Sequence, residues 1–154
     1  MKKGIVYALC VGLTELAGFL VGMLTRDATK IYAETISKPP LSPPGVVFPI
    51  AWTILYALMG IGLARILLAD GEKKAAAKIL WGIQLVLNLS WCFVFFSAQS
   101  FGAALGVLIG MFIAVVLMTY RFGKVDGLAA KLQIPYIVWL CFATYLNVGV
   151  ICLN

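Results

Sequence analysis

The residues of this chain that could do chemistry recur at helical spacing. Pro49, Trp52, Tyr56 and Met59 fall at i, i+3, i+7 and i+10, which is one helical face. Trp81, Gln84, Asn88, Trp91 and Phe95 fall at i, i+3, i+7, i+10 and i+14, a stripe of amides and aromatics. Tyr136, Trp139, Ala143 and Asn147 recur at i, i+3, i+7 and i+11. Three such stripes converging would enclose a pocket lined by Trp52, Trp91 and Trp139. Flat aromatic walls with a few amide donors suit a large planar ligand. Histidine is absent, which excludes His-liganded zinc and His-based acid–base catalysis. Cys10, Cys92, Cys141 and Cys152 are scattered without CxxC spacing, as expected of small apolar fillers, so no metal, disulfide or resident cofactor is expected.

The elements that must position these stripes are membrane spans. The chain has 154 residues, 63% of them hydrophobic, and a mean hydropathy of +1.04. Soluble domains lie nearer 45–50% apolar. Long apolar runs rather than alternation point to helices, which satisfy their own backbone hydrogen bonds in lipid. At about 20 residues per span, the expected crossings are 4–25, 45–68, 79–98, 103–121 and 133–152. The fold class is therefore an all-α bundle of five transmembrane helices, a single membrane domain over 1–154 with the lipid bilayer as its first partner. Lys2-Lys3 before an apolar run resembles a signal peptide, but the length of the run and Glu15 within it favour an uncleaved first span. In the second span, Pro43-Pro44 suits a helix start with Ser42 as N-cap.

Charge sets the expected orientation. Nine basic residues (Lys2, Lys3, Arg65, Lys73, Lys74, Lys78, Arg121, Lys124, Lys131) fall on one side and three (Arg26, Lys30, Lys38) on the other. This places the N-terminus in the cytoplasm and the C-terminus outside, and fits a bacterial cell membrane. The net charge of +6 is thus a topology signal, and nucleic-acid binding is not expected.

Residues 26–44 form the longest loop, ending in Pro39, Pro40, Pro43 and Pro44, and are read as a candidate lid or otherwise as a flexible outer loop. Glu15 is the ionisable residue of the first span, a functional-site candidate by default and otherwise a protonated or hydrogen-bonded helix contact. The first span carries small residues at Gly4, Ala8, Gly12, Gly18 and Gly22. Gly102, Gly106, Gly110 and Ala114 give the fourth a packing face for the bundle or for a second copy. Leu117, Tyr120 and Lys124 match a loose cholesterol pattern that carries little weight.

Three segments resemble the TspO/MBR family, the translocator proteins once called peripheral benzodiazepine receptors. They are Pro43-Pro44 through Phe48 with Trp52-Thr53, Leu55-Tyr56 and Met59-Gly60; Gln84 to Asn88 with Trp91 and Phe95-Phe96; and Pro135-Tyr136 with Trp139, Phe142-Ala143-Thr144 and Leu146-Asn147. The resemblance covers essentially the whole chain. It implies five helices around a pocket open to the outer side, usually in a homodimer. It further implies binding of porphyrin-type tetrapyrroles, of benzodiazepine- and isoquinoline-type drugs and, in animal members, of cholesterol. By motif position Trp52, Asn88, Trp91, Trp139, Ala143 and Leu146 match pocket residues, and Tyr32 with the proline run matches the segment that closes over them. Family members often have tryptophans flanking the proline pair, where this chain has Leu41 and Val46. After Tyr145 no Lys or Arg follows, so cholesterol is disfavoured.

Three functions follow as expectations. A receptor or sensor binding tetrapyrroles in the pocket leads. A light-dependent porphyrin-degrading activity comes second, with Trp52 and Trp139 as electron donors; the resemblance supports it, since such activity is ascribed to some bacterial members. A transporter with Glu15 as proton-coupling group comes third.

Overall fold

The computed structural model describes residues 2–154. Among them the chain forms α1 (Lys3–Leu24), α2 (Arg26–Thr35), α3 (Val47–Leu68) and α4 (Ala75–Cys92), the last running into a π-helical turn at Phe93–Ser97. It continues with α5 (Phe101–Gly123), the short α6 (Gly127–Lys131) and α7 (Ile134–Leu153). Five segments are long and apolar enough to cross a membrane: α1, α3, α4 with its π turn, α5, and α6 with α7. The all-α, five-span class is therefore observed. The ends agree with the expected spans to within a few residues except at the third, where helix begins at Ala75 rather than 79, and at the fifth, where the short α6 moves the start to Gly127 from 133. Ala75-Ala76-Ala77 are strong helix formers and carry the helix past the hydrophobic boundary.

Two local expectations are corrected. Ser42 does not cap α3. Its hydroxyl donates to the Pro39 carbonyl at 2.7 Å, closing a turn, and α3 starts only at Val47, whose N–H donates to Pro44 O at 2.9 Å. Pro49 sits in the first turn, where no intrahelical donor is lost. Nor is 26–44 wholly loop, because residues 26–35 are α2. The Thr25 hydroxyl donates to Val21 O and the Thr29 hydroxyl to Thr25 O, each at 2.9 Å. Asp27 lies in the first turn of α2, where a carboxylate suits the helix dipole.

The helices form two packed groups. α1 lies along α3, while α4, α5 and α7 pack together. At the α1–α3 crossing the backbones nearly touch, since a Cβ on Gly60 would lie 2.6 Å from Val11 Cα. There the Thr14 hydroxyl donates to Tyr56 O at 2.8 Å, tying the two helices together. The groups meet at the basic end, where α6 packs on α3 and α5. Arg65 of α3 donates to both oxygens of Asp126 at 3.0 and 2.8 Å, and Asp126 also caps α6 by accepting from Ala129 N–H at 2.8 Å. Elsewhere α3 and α7 make little backbone contact, so side chains must fill the space between them. The small-residue face of α5 divides. Ala114 is buried, whereas a Cβ on Gly102 or Gly106 would meet nothing, so these two are not used inside the bundle.

Candidate functional site

Aromatic rings occupy the space between α3 and α7. Trp52 meets Trp139 with ring centres 6.2 Å apart at 81° and Tyr136 at 6.2 Å, while tilting over Tyr56 at 5.6 Å. Phe48, one turn before Trp52, also meets Trp139 at 6.0 Å, and Phe142 lies 5.7 Å from it. Such edge-to-face contacts are each worth about 0.5–1.5 kcal/mol beyond simple burial, so they hold α3 to α7 while leaving the joint separable. Trp52, Trp139, Ala143 and Leu146 are all only partly buried. They form a partly exposed wall.

Beneath the rings lies a closed polar network. Tyr56 donates to Asn88 Oδ1 at 2.6 Å, Asn88 Nδ2 donates to Tyr136 Oη at 2.8 Å, and Tyr136 donates to Gln84 Oε1 at 2.8 Å. Gln84 Nε2 in turn approaches the Met59 sulfur at 3.8 Å. Gln84, Asn88 and Tyr136 are essentially inaccessible. In a low-dielectric interior, unpaired amides are costly. The network satisfies them by joining α3, α4 and α7, and so forms a rigid floor.

Trp91 belongs to a second cluster. It stacks on Phe95 at 4.6 Å and 23°, and its indole N–H points to Asn147 Oδ1 at 3.4 Å. The amide of Asn147 donates to Phe101 O at 2.9 Å. The π turn widens the helix, so that the adjacent Phe95 and Phe96 both reach Tyr32, at 5.2 and 5.3 Å. Tyr32 thereby docks α2 on the π turn at the C-terminal end of α4. Its burial there pushes the phenol above its ordinary pKa.

Residues 36–46 then run as a strap over the C-terminal end of α7. Asn154 clamps Ser37, accepting from its N–H at 3.0 Å and donating to its carbonyl at 2.9 Å. Pro39 is buried against Gly149, where a Cβ would collide with the proline ring. The Tyr145 hydroxyl donates to Pro40 O at 2.6 Å. Leu41 adopts φ 65°, a left-handed conformation unusual for a side-chain-bearing residue, before the chain turns into α3. The strap thus passes from α7 to α3 above the aromatic joint.

The candidate residues therefore separate by place. Trp52, Trp139, Ala143 and Leu146 form the partly exposed wall, with Trp91 on the neighbouring face. Tyr56, Gln84 and Asn88 form the floor, and their polar atoms are engaged by protein partners. Phe95 and Asn147 are buried beneath Tyr32 and Trp91. Pro39 and Pro40 are held to α7, while Pro43 and Pro44 lead into α3. Tyr136, the hub of the floor, was not among the candidate ligand residues, although its place on the Trp139 stripe was a signal for it. Glu15 is half-buried on α1; among the described residues it makes neither hydrogen bond nor ion pair.

Comparison with known proteins agrees with this architecture. The TspO/MBR family profile matches residues 10–153. A tryptophan-rich protein TspO of Chlorobaculum tepidum is 38% identical over 99% of this chain and 98% of its own. A tryptophan-rich sensory protein of Cereibacter sphaeroides is 36% identical, covering 79% of this chain and 75% of its own. The translocator protein of Bos taurus is 35% identical over 88% of this chain and 82% of its own.

Proposed function

This chain belongs to the TspO/MBR family of multi-pass membrane proteins, and from that premise we propose that it is a membrane receptor or sensor for porphyrin-type tetrapyrroles. The observation that carries the proposal is the Trp52–Trp139 joint, 6.2 Å between ring centres, lying over a satisfied polar floor and under a strap. A flat macrocycle entering between α3 and α7 exchanges ring–ring contacts for ring–macrocycle contacts, while the floor stays intact. Benzodiazepine- and isoquinoline-type drugs offer the same flat surface. The name of the Cereibacter sphaeroides relative, a tryptophan-rich sensory protein, supports a sensing role. Binding separates α3 from α7 and changes how the strap is held, which is the signal a partner could read. The basic end faces the cytoplasm and the strap lies outside, by the charge bias of the loops. The outward Gly102 and Gly106 offer a close-packing face for a second copy in a homodimer.

A second reading, light-dependent porphyrin degradation, is favoured by the same contact. An excited porphyrin accepts an electron from Trp52 or Trp139, dioxygen adds across a meso carbon–carbon double bond of the reduced macrocycle, the electron returns to the tryptophan radical cation, and that bond opens to two carbonyls that hold both oxygen atoms. One experiment separates the two. Protoporphyrin IX is titrated into purified protein in the dark, and the loaded sample is then illuminated. Saturable tryptophan quenching with stable porphyrin bands supports the receptor. Protein-dependent loss of the bands moves degradation to first place, and an absence of saturable binding removes both.

A further inference from the structure

The basic end of the bundle carries a feature that the aromatic site does not use. A cleft of about 470 Å3 opens between the α3–α4 turn and the last turns of α5, lined by Glu72, Lys73, Tyr120, Arg121 and Lys124. A smaller hollow of about 190 Å3 adjoins it, sharing Glu72, Lys73 and Lys124 and adding Lys74 and Asp70. Cations outnumber carboxylates in both. Among the described residues the one ion pair is Arg65–Asp126, so Arg121 and Lys124 are not neutralised by a carboxylate. Lys124 Nζ sits 5.1 Å from the Tyr120 ring centre, which turns the ammonium to the same side as the exposed ring. An apolar track runs away from this cleft along the membrane. Ile113, Leu117 and Tyr120 of α5 are exposed at i, i+4 and i+7, and Ile79, Ile83 and Val86 of the neighbouring α4 repeat the spacing.

A cationic cleft at the end of two spans, beside exposed apolar rows on α4 and α5, matches a molecule with an anionic head and hydrocarbon chains. We propose that this cleft binds the headgroup of an anionic bilayer phospholipid, with Lys73, Arg121 and Lys124 on its phosphate and its acyl chains along these rows. Juxtamembrane basic residues contribute to such binding through charge at the headgroup depth, and Tyr120 suits the same interface. A free phosphate would use the cations but not the apolar rows.

The test is native mass spectrometry of the full chain with dioleoylphosphatidylglycerol, phosphatidylcholine or cholesterol added to the detergent-solubilised protein. The parent is expected to retain phosphatidylglycerol in preference to the two neutral lipids. Arg121→Gln/Lys124→Gln should lose roughly fivefold in affinity per residue changed, whereas Arg26→Gln/Lys30→Gln, removing the same charge from the far end, should lose less than twofold. The charge-conserving Arg121→Lys/Lys124→Arg should retain the lipid, which separates loss of the site from loss of the fold. Equal retention by all variants, equal losses in both charge-removing pairs, or no preference over neutral lipids would overturn the proposal. So would millimolar inorganic phosphate displacing the lipid as well as unlabelled phosphatidylglycerol does, since that outcome assigns the cleft to a soluble anion.

Discussion

Trp52 and Trp139 meet edge to face, 6.2 Å between ring centres, and this contact stands where α3 and α7 lack backbone packing. Above the hydrogen-bonded floor that links Tyr56 to Tyr136 through Asn88, the two helices are joined by a few ring contacts of about 1 kcal/mol each. On the receptor reading, a planar ligand replaces those contacts with others of the same kind.

Strap release is the first prediction. Tyr145→Phe removes the hydroxyl that donates to Pro40 O at 2.6 Å. A hydrogen bond of this kind contributes about 1 kcal/mol, so ligand dissociation should quicken roughly fivefold, with little change in association. Stopped-flow dissociation of protoporphyrin IX from parent and variant checks it. Asn154→Ala, which frees Ser37, should act in the same direction.

The floor should resist change more than the wall. Tyr136→Phe leaves Asn88 Nδ2 and Gln84 Oε1 buried without their shared partner. Interhelical hydrogen bonds in membranes average nearer 0.6 kcal/mol, but stranding two buried groups costs more than losing one bond, so roughly 1–2 kcal/mol of destabilisation is expected. Tyr56→Phe strands only Asn88 Oδ1 and should cost less. Thermal unfolding in detergent should rank the two in that order.

At the α1–α3 crossing, Gly60→Ala places a methyl 2.6 Å from Val11 Cα, a backbone atom that cannot swing aside. The helices must part, at roughly 1–3 kcal/mol. Gly12→Ala on α1 meets nothing within 4 Å and should be neutral or gain up to about 1 kcal/mol from helix propensity. Paired melting curves test this, and equal effects would contradict the crossing geometry.

Asp126 gives a pH dependence of definite sign. The Arg65 guanidinium, and then the Ala129 N–H, hold its carboxyl below the ordinary range. The folded state thus binds this proton more weakly than the unfolded state. The stabilisation is therefore fully present above the ordinary value of about 3.9 and is lost as pH falls through the depressed folded value. Over this acid window the parent should lose stability relative to Asp126→Asn. Parallel melting curves from pH 6 to pH 3 that never converge would show that the carboxylate is not so held.

What was legible in the sequence follows from which signals are local. The five spans were visible because uninterrupted apolar runs leave few alternatives, and the aromatic stripes were visible because helical spacing is a property of one segment. The helix α2 was not. Arg26, Asp27, Lys30 and Glu34 give it the composition of a loop, and its apolar anchor, Tyr32, finds its aromatic partners on the π turn and α5. The π turn carries no breaker residue, so nothing announced that Phe95 and Phe96 would share a neighbour. Gln84 and Asn88 were rightly expected to need partners, but their closure on Tyr136 requires three helices at once. Pairing of Arg65 with Asp126 across 61 residues of chain was invisible for the same reason.

The measurement that bears most directly on the aromatic joint is the protoporphyrin IX dissociation constant in the dark for parent, Trp52→Ala, Trp139→Ala and the double variant. It is read from the porphyrin absorbance shift and from quenching of the remaining tryptophans. Each single change should weaken binding roughly three- to tenfold, from about 0.5–1.5 kcal/mol per ring contact. The double variant should weaken it further, with the fold shown intact by an unchanged helical spectrum. Binding that is saturable and equally tight in all four proteins would place the ligand elsewhere and contradict the account.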